Sequence, residues 1–417
     1  MRVLKEGVDN VTLFEELRWR GLIQDISDDE LIDKLNEGGL TFYIGTDPTA
    51  DSMHIGHYSS FLISKRLAKA GHHPILLVGG ATGMIGDPKP TSERPMISKE
   101  EVIKNIEGLT KQAEKIFGFE VVNNNDWIKD INIIDFLRDY GKYINVNYML
   151  AKDHVKSRLE NGITYAEFSY MILQALDFLY LYENKDCVLQ VAGSDQWGNI
   201  TTGIDLIRKK LNKTAYGMVM PLVTDSTGKK FGKTEGNALW LDKSKTSSYE
   251  LYQYLINLED SMIISYLKKL TFLSKEEIDE LEVKNKEHPE YREAHKALAR
   301  EIIVDLHGVD EYKKAVHLSE VLFTEQFTDL SKEDIREVFV GNEVKQISSD
   351  NLVDLLIEVG AAKSKREARE FISGNAIKIN GEKITELDYK ITEKDFIDDT
   401  YVIVKRGKKN YYIGEKY

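Results

Sequence analysis

The sequence predicts an α/β protein: a doubly wound parallel sheet, then an α-helical domain, then a small α+β domain. Three observations carry this. Short apolar runs alternate with helix-length amphipathic stretches through the first half of the chain, as strands joined by crossover helices do. From Ser247 to about Phe323 the apolar spacing is helical, with capping-box-like starts such as Ser274-Lys-Glu-Glu277. After Asn351 the signals are mixed again: a helix, a second helix start at Ser364–Arg366, and the short strand Ala376–Gly381. A chain of 417 residues is too long for one ordinary core, so several domains are expected. The boundaries drawn are 1–246, 247–323, a linker over 324–350 that lacks a long periodic apolar run, and 351–417.

In chain order, Leu40–Ile44 reads as a strand and His57–Ala70 as an amphipathic helix; Pro74–Val78 is the next strand, ending in the Gly-rich turn Gly79–Pro88. Residues 123–185 are largely helical, including Ile134–Ile144. Val188–Ala192 is another apolar strand, followed by a helix from about Ile200 to Leu211 and the apolar run Met218–Val223. The stretch Thr224–Gly236, rich in Gly, Lys and Thr, reads as a mobile loop. Ligands of such sheets bind at the carboxyl ends of the strands, and the Gly- and Asp-rich turns all follow strands, so they converge on one crevice.

With 42% hydrophobic and 30% charged residues the composition is that of a soluble globular protein. No apolar run approaches the roughly 20 residues that cross a bilayer, and Met1–Glu6 lacks a signal-peptide stretch, so the expected location is cytoplasmic. Cys187 is the sole cysteine, which excludes an intrachain disulfide, and its place in Cys187-Val-Leu-Gln-Val191 marks it as a packed strand residue. A formal net charge of −13 opposes indiscriminate binding to nucleic acid. The acidic excess is not uniform: residues 351–417 hold 13 Lys/Arg and 12 Asp/Glu.

The most informative segment is Asp47-Pro-Thr-Ala-Asp-Ser-Met-His-Ile-Gly-His57. A strand stopping at Gly45, a short polar loop and a helix opening near His54 aim that helix's unpaired N–H groups at the loop, an arrangement that suits a polyphosphate. Two imidazoles, His54 and His57, lie where each can donate to a phosphate or ribose oxygen, and Gly56 leaves room for a flat base. Tyr170, Gln174 and Asp177 are spaced by four and three and share one helix face. No Gly-x-Ser-x-Gly elbow is present, and Gly83-Met-Ile-Gly86 lacks the full Gly-x-Gly-x-x-Gly pattern of a dehydrogenase.

The His54–His57 segment resembles the HIGH motif of class I aminoacyl-tRNA synthetases. Thr41–His57, Gly79–Pro88, Phe168–Asp177, Gly193-Ser-Asp-Gln-Trp-Gly-Asn199 and Lys230-Phe-Gly-Lys-Thr234 together resemble the catalytic half of the bacterial-type tyrosyl-tRNA synthetases. That resemblance implies a Rossmann-like sheet and the activation of tyrosine by ATP with Mg²⁺, with no tightly bound cofactor and no residue assigned to a metal. It implies that Thr49, His54, His57, Arg94, Lys230, Lys233 and Thr234 act on the phosphates and ribose, the last three in a KMSKS-type loop. Gly45, Asp47, Gly56, Ser60, Gly193 and Asp195 would bind ATP; Tyr43 and Asp177 would hold the phenol, with Asp87, Tyr170 and Gln174 around the amino group and Gln196 also in the tyrosine site. The chain departs from the family at Ile44, where many relatives carry Cys, and at Ser60, where Thr is common. Either change removes at most about 1 kcal/mol, one neutral hydrogen bond.

Lys363-Ser-Lys-Arg-Glu-Ala-Arg369 followed by Ile372–Gly381 resembles an S4-like RNA-binding domain, in which Lys363, Arg366 and Arg369 would meet an RNA backbone. Acceptor-stem contacts are assigned to Lys152, Arg208, Lys209 and Lys210. The expected partners are tRNA(Tyr), L-tyrosine and a second copy of the chain, with no membrane. A synthetase for tryptophan is the nearest alternative, which Tyr43 with Asp177 disfavours. An RNA-binding or splicing-assistance protein that keeps the synthetase body would be expected to lose His54, His57, Lys230 or Lys233, and all four are present.

Overall fold

The computed structural model describes residues 11–88, 97–232 and 238–417. They divide into two compact units, one drawn from residues up to Lys245 with Leu258–Leu306, the other from Thr246–Asn257 with His307–Tyr417.

The first unit is built on six strands: β1 (Asp25–Ile26), β2 (Thr41–Thr46), β3 (His73–Val78), β4 (Glu120–Asn123), β5 (Cys187–Gly193) and β6 (Tyr216–Met220). Their order is β1-β6-β5-β2-β3-β4, parallel throughout except for β1, which runs antiparallel on the edge beside β6. From β2 the chain adds β3 and β4 on one side, then returns to add β5 and β6 on the other. The switch point therefore lies between β2 and β5, where Tyr43 pairs with Gln190. Alternate residues of the pleat are buried on both faces, which explains the continuous apolar runs in the sequence. Tyr43, Ile75 and Leu77 pack with Ala175 and Phe178 of the helix Tyr165–Lys185 and with Leu206 and Ile207 of the helix Trp197–Leu211. Phe42 and Leu76, of opposite parity, are equally buried. Cys187 is a buried strand residue, as its neighbours imply.

The second unit holds β7 (Val344–Ile347), β8 (Ile377–Ile379), β9 (Glu382–Lys383), β10 (Tyr401–Arg406) and β11 (Asn410–Lys416), ordered β7-β11-β10-β8-β9. The helices Leu352–Glu358 and Lys365–Ser373 bury Leu352, Leu355, Ala368 and Ile372 against Ile377, Val402 and Val404.

The partition differs from the boundaries drawn on the sequence. The stretch 247–323 does not stay together: Leu258–Leu306 belongs with the six-stranded sheet, and the pieces on either side belong with the C-terminal unit. The helix Ser248–Ile256 is tied to the helix Val309–Thr324, Gln253 donating to Ser319 Oγ at 2.9 Å and Ser248 donating to Glu311 at 3.1 Å. Helical periodicity finds such helices but does not say which of them share a core. Nor are residues 324–350 a linker. Phe327, Leu330, Ile335, Phe339 and Ile347 are buried, a capped helix spans Lys332–Val338, and β7 joins the sheet. Glu325 accepts from Lys378 and Lys405 at 2.6 and 2.5 Å, fixing the segment to β8 and β10. These elements are too short to produce a long apolar period. Ile134–Ile144 is likewise interrupted, its helix ending at Asp139 before a 3₁₀ turn at Gly141–Tyr143.

A chain ended at Asp350 keeps those apolar side chains and loses the strands that cover them, whereas one ended at Thr324 loses both. The chain ended at Asp350 is expected to bind a hydrophobic dye more strongly and to unfold at lower temperature than the one ended at Thr324. Equal behaviour of the two would show that 325–350 holds itself together.

Candidate active site

β2 runs out at Thr46, and after the loop Asp47–Met53 the helix Ile55–Lys69 begins with His54 as its N-cap. The two imidazoles close this helix start reciprocally: Gly56 N–H donates to His54 Nδ1 at 3.1 Å, and His54 N–H donates to His57 Nδ1 at 3.2 Å. Ile55 N–H donates to Leu239 O at 2.7 Å and His57 N–H to His54 O at 2.8 Å. The first N–H groups of the helix are thus consumed within the protein. This corrects the expectation that they point free at a polyphosphate; side chains are what this end offers an anion. With Nδ1 accepting on both rings, the proton of each neutral imidazole sits on Nε2. Burial, with the neighbouring His54 and Lys230 adding to it, pushes His57 down to about 3, so it stays a neutral donor at physiological pH. Gly56 also meets a local requirement: a Cβ there would lie 2.8 Å from His54 Cε1 and break the cap.

Beside this start, at the carboxyl ends of β2, β3 and β5, lies a cavity of ≈ 250 Å³. Its polar groups come from separate segments. Tyr43 and Gln190 rise from β2 and β5; Thr82 and Asp87 follow β3; Tyr170, Gln174 and Asp177 descend one face of the Tyr165 helix; Gln196 follows β5; Gly45, Asp47, Thr49 and His57 line the β2 side. At one end the Asp177 carboxylate accepts from Trp127 Nε1 at 2.9 Å and from Asn124 Nδ2 at 3.0 Å. Burial nonetheless raises it to about 7, outweighing those two bonds. The Tyr43 hydroxyl, fully buried and within the field of Asp177, has no hydrogen-bond partner among the described residues. At the other end Asp87 accepts from Gln196 Nε2 at 2.9 Å and from Asn199 Nδ2 at 3.2 Å. Between them Asp47 is held by Tyr170 Oη at 2.9 Å and Thr82 Oγ1 at 3.1 Å, tying the loop to the helix that carries the pocket. The cavity is small beside ligand clefts of about 300–1,000 Å³, so it suits one amino-acid side chain.

The described part of the lysine-rich loop is built onto the same helix start. Thr224 bridges Lys230, Asp225 Oδ1 accepts from the backbone N–H groups of Thr227 and Lys229, and Phe231 N–H donates to Val223 O at 2.9 Å. Phe231 is buried with its ring 4.8 Å from that of Tyr266, whose hydroxyl donates to Thr224 O at 3.0 Å. Gly232 has φ +79°, and a Cβ on it would come within 1.9 Å of Ile55 Cγ2. On the far side Leu241 N–H donates to Met53 O at 2.8 Å. Within the loop expected over 224–236, residues 224–232 form a hydrogen-bonded turn.

Residues 35–324 match the family model of the tRNA synthetases class I (W and Y), and residues 334–413 match that of the tyrosine–tRNA ligase SYY-like C-terminal domain. The chain belongs to the class I tRNA synthetases of this tryptophan and tyrosine group. It is 50% identical over 412 residues to the tyrosine–tRNA ligase of Staphylococcus carnosus (strain TM300), covering 96% of this chain and 98% of that protein. Among solved structures it is similar to the C-terminally truncated mitochondrial tyrosyl-tRNA synthetase of Aspergillus nidulans, with 33% identity, a TM-score of 0.67 and coverage of 75% of this chain and 94% of that one. The corresponding truncated enzyme of Coccidioides posadasii gives 30% identity, a TM-score of 0.65 and coverage of 73% and 91%.

Of the synthetase residues expected from sequence, Tyr43, Gly45, Asp47, Thr49, His57, Asp87, Tyr170, Gln174, Asp177 and Gln196 line the one cavity. Gly193 ends β5 and Asp195 lies in the turn after it, neither among the residues lining the cavity, and Lys230 lies close enough to His57 to lower its pKa. Ile44 is buried in β2, and Ser60 sits within the Ile55 helix, outside the cavity lining. Arg94, Lys233 and Thr234 lie outside the described residues. Lys209 and Lys210 donate to the carbonyls of Tyr143 and Asp139, and Arg208 pairs with Asp205, so these cations brace the helical insertion as well as charging it. Lys152 donates to Thr201 Oγ1 at 3.0 Å. In the C-terminal unit Lys363, just before the helix Lys365–Ser373, and Arg366 and Arg369 on it are all exposed. Sequence reasoning missed Asn124, Trp127, Thr82, Gln190 and Asn199. The available signal was positional: Thr82, Asn124 and Asn199 all follow strand ends of a parallel sheet.

Gly232→Ala must place a left-handed backbone on a residue with a Cβ and move Ile55, which is expected to destabilise the first unit by about 2 kcal/mol. A shift of the denaturant midpoint too small to match would mean the loop re-seats elsewhere.

Proposed function

We infer that the chain is a tyrosine–tRNA ligase that joins L-tyrosine to ATP, giving tyrosyl-adenylate and pyrophosphate, and passes the tyrosyl group to the 3′ end of tRNA(Tyr). The observation that carries the choice of amino acid is the buried Tyr43 hydroxyl beside the Asp177 carboxylate. A substrate phenol can donate to the carboxylate and accept from Tyr43. Phenylalanine leaves both groups unpaired in a buried place, and an indole N–H, which only donates, leaves Tyr43 unpaired.

At the opposite end the ammonium meets Asp87, Gln174 and Gln196, with Tyr170 closing the wall. This holds the carboxylate toward the β2 side, where Thr49 and the Nε2–H groups of His54 and His57 meet the nucleotide and Gly193 with Asp195 receive the ribose. The carboxylate oxygen bonds to the α-phosphorus as the bond to pyrophosphate breaks. No protein nucleophile takes part; positioning and charge do the work. Lys230, Lys233, Thr234 and Arg94 supply positive charge and donors to the leaving group, and Mg²⁺ enters with ATP.

The tRNA is read on Lys363, Arg366 and Arg369 and guided by Lys152 and Arg208–Lys210. Ile133 and Ile134, 70% and 63% exposed, with Leu137 at 48%, present an apolar stripe on one short helix that a second copy of the chain would cover. A lone buried cysteine suits a reducing compartment, the cytosol.

Amino-acid-dependent ATP–pyrophosphate exchange tests the reading: tyrosine alone should support it, and exchange with tryptophan or phenylalanine instead would discard the phenol assignment. The pH dependence follows from Asp177. Its folded-state pKa is raised, so between the unfolded carboxylate value and about 7 the protein holds a proton there that must leave before the group accepts the phenol. KM for tyrosine should fall about tenfold between pH 6 and 8 as the ionised fraction grows. Asp177→Asn should flatten that profile; a profile unchanged by the substitution would place the titration elsewhere.

A further inference from the structure

Asn199, at the first turn of the Trp197 helix, is 2% exposed and has no role in the assignments above. Its side-chain nitrogen meets three acceptors from three separate segments: Asp87 Oδ1 at 3.2 Å, Gln174 Oε1 at 3.0 Å and Gln196 Oε1 at 3.0 Å. The orientation is settled by chemistry. An ionised carboxylate only accepts, so both amides turn their NH₂ groups toward Asp87. Gln196 Nε2 takes Oδ2 at 2.9 Å, and Gln196 Oε1 is left facing Asn199. The other end of the Asn199 amide, Oδ1, is buried without a hydrogen-bond partner among the described residues, so only its donor end is in use.

We propose that Asn199 is the positioning residue of the substrate-ammonium site, holding Asp87, Gln174 and Gln196 in the one arrangement in which their oxygens converge. This rests on the reading of those three residues as the groups around the ammonium. Asn199 shares two N–H hydrogens among three acceptors, so the Gln174 and Gln196 oxygens keep capacity for a further donor. A primary ammonium brings three donors and a positive charge to the oxygens that Asn199 gathers. Without Asn199 the Gln174 oxygen loses its only described donor and is free to rotate away from the site.

Asn199→Leu keeps the volume and removes the donor. Tyrosine and its deaminated analogue p-hydroxyphenylpropanoate, the latter as a competitive inhibitor, are compared in pyrophosphate exchange with the full chain. KM for tyrosine is expected to rise about tenfold, the worth of one hydrogen bond to a charged group. The inhibition constant of the analogue should stay within about twofold, since it has no ammonium to place, and kcat should follow it. Asn199→Thr, which retains one hydroxyl donor, should fall between wild type and Leu and serves if the Leu variant does not fold. Equal weakening of both ligands, or no change in either, overturns the proposal. Asp87→Asn separates the two levels of inference. If it weakens tyrosine selectively while Asn199→Leu does not, only the role of Asn199 fails; if it leaves tyrosine binding intact, the ammonium reading fails and the proposal with it.

Discussion

The start of the Ile55 helix is closed by its own histidines, and the neighbouring segments are built on that closed start. Had its N–H groups been left for a ligand, the helix would carry orphan donors whenever no ligand was bound. Instead His54 Nδ1 caps the Gly56 N–H and His57 Nδ1 caps the His54 N–H, which also puts the ring protons on Nε2. One geometry settles stability and chemistry together. Leu239 and Leu241 then pair with either side of His54, and Gly232 rests on Ile55, so the two stretches that mark the family in sequence are in direct contact in the fold.

The loop between β2 and this helix is held from the opposite side as well. Asn105 and Gln112, on the helix Lys99–Gln112, reach Pro48 O and the Met53 N–H, and at Gly108 the helix backbone comes so close to Asp51 that a Cβ would lie 2.1 Å from its carbonyl. Asp47 anchors the loop's first residue to Tyr170. Thr49 is thus carried by a segment fixed at both ends, and placement of this kind matters in a reaction that proceeds without a protein nucleophile.

Within the pocket the electrostatics are divided. Asp177 is deep, held by Asn124 and Trp127 yet still pushed up to about 7 by burial. Asp87 lies nearer solvent among amides. The two carboxylates differ in environment rather than in kind, and in the proposed reading that difference suits one to a phenol and the other to an ammonium.

The sequence by itself determined the parallel sheet, the strand-to-helix loops at its carboxyl edge and the pocket face Tyr170–Gln174–Asp177, because each is written in a local period or a contiguous motif. It also placed Cys187 in a packed strand. It did not show that residues 324–350 complete the C-terminal sheet or that the helices of 247–323 divide between two units, since short elements carry little periodicity and burial depends on distant partners. It did not reveal that the helix N-terminus is self-capped: two histidines three apart are compatible with pointing out or folding back, and only the backbone angles at His54 choose. Asn124, Trp127 and Asn199 stayed hidden for the same reason. An amide or an indole acquires a function from the carboxylate it meets, and those meetings are made by chain segments 53, 50 and 112 residues apart, which only the tertiary fold brings together.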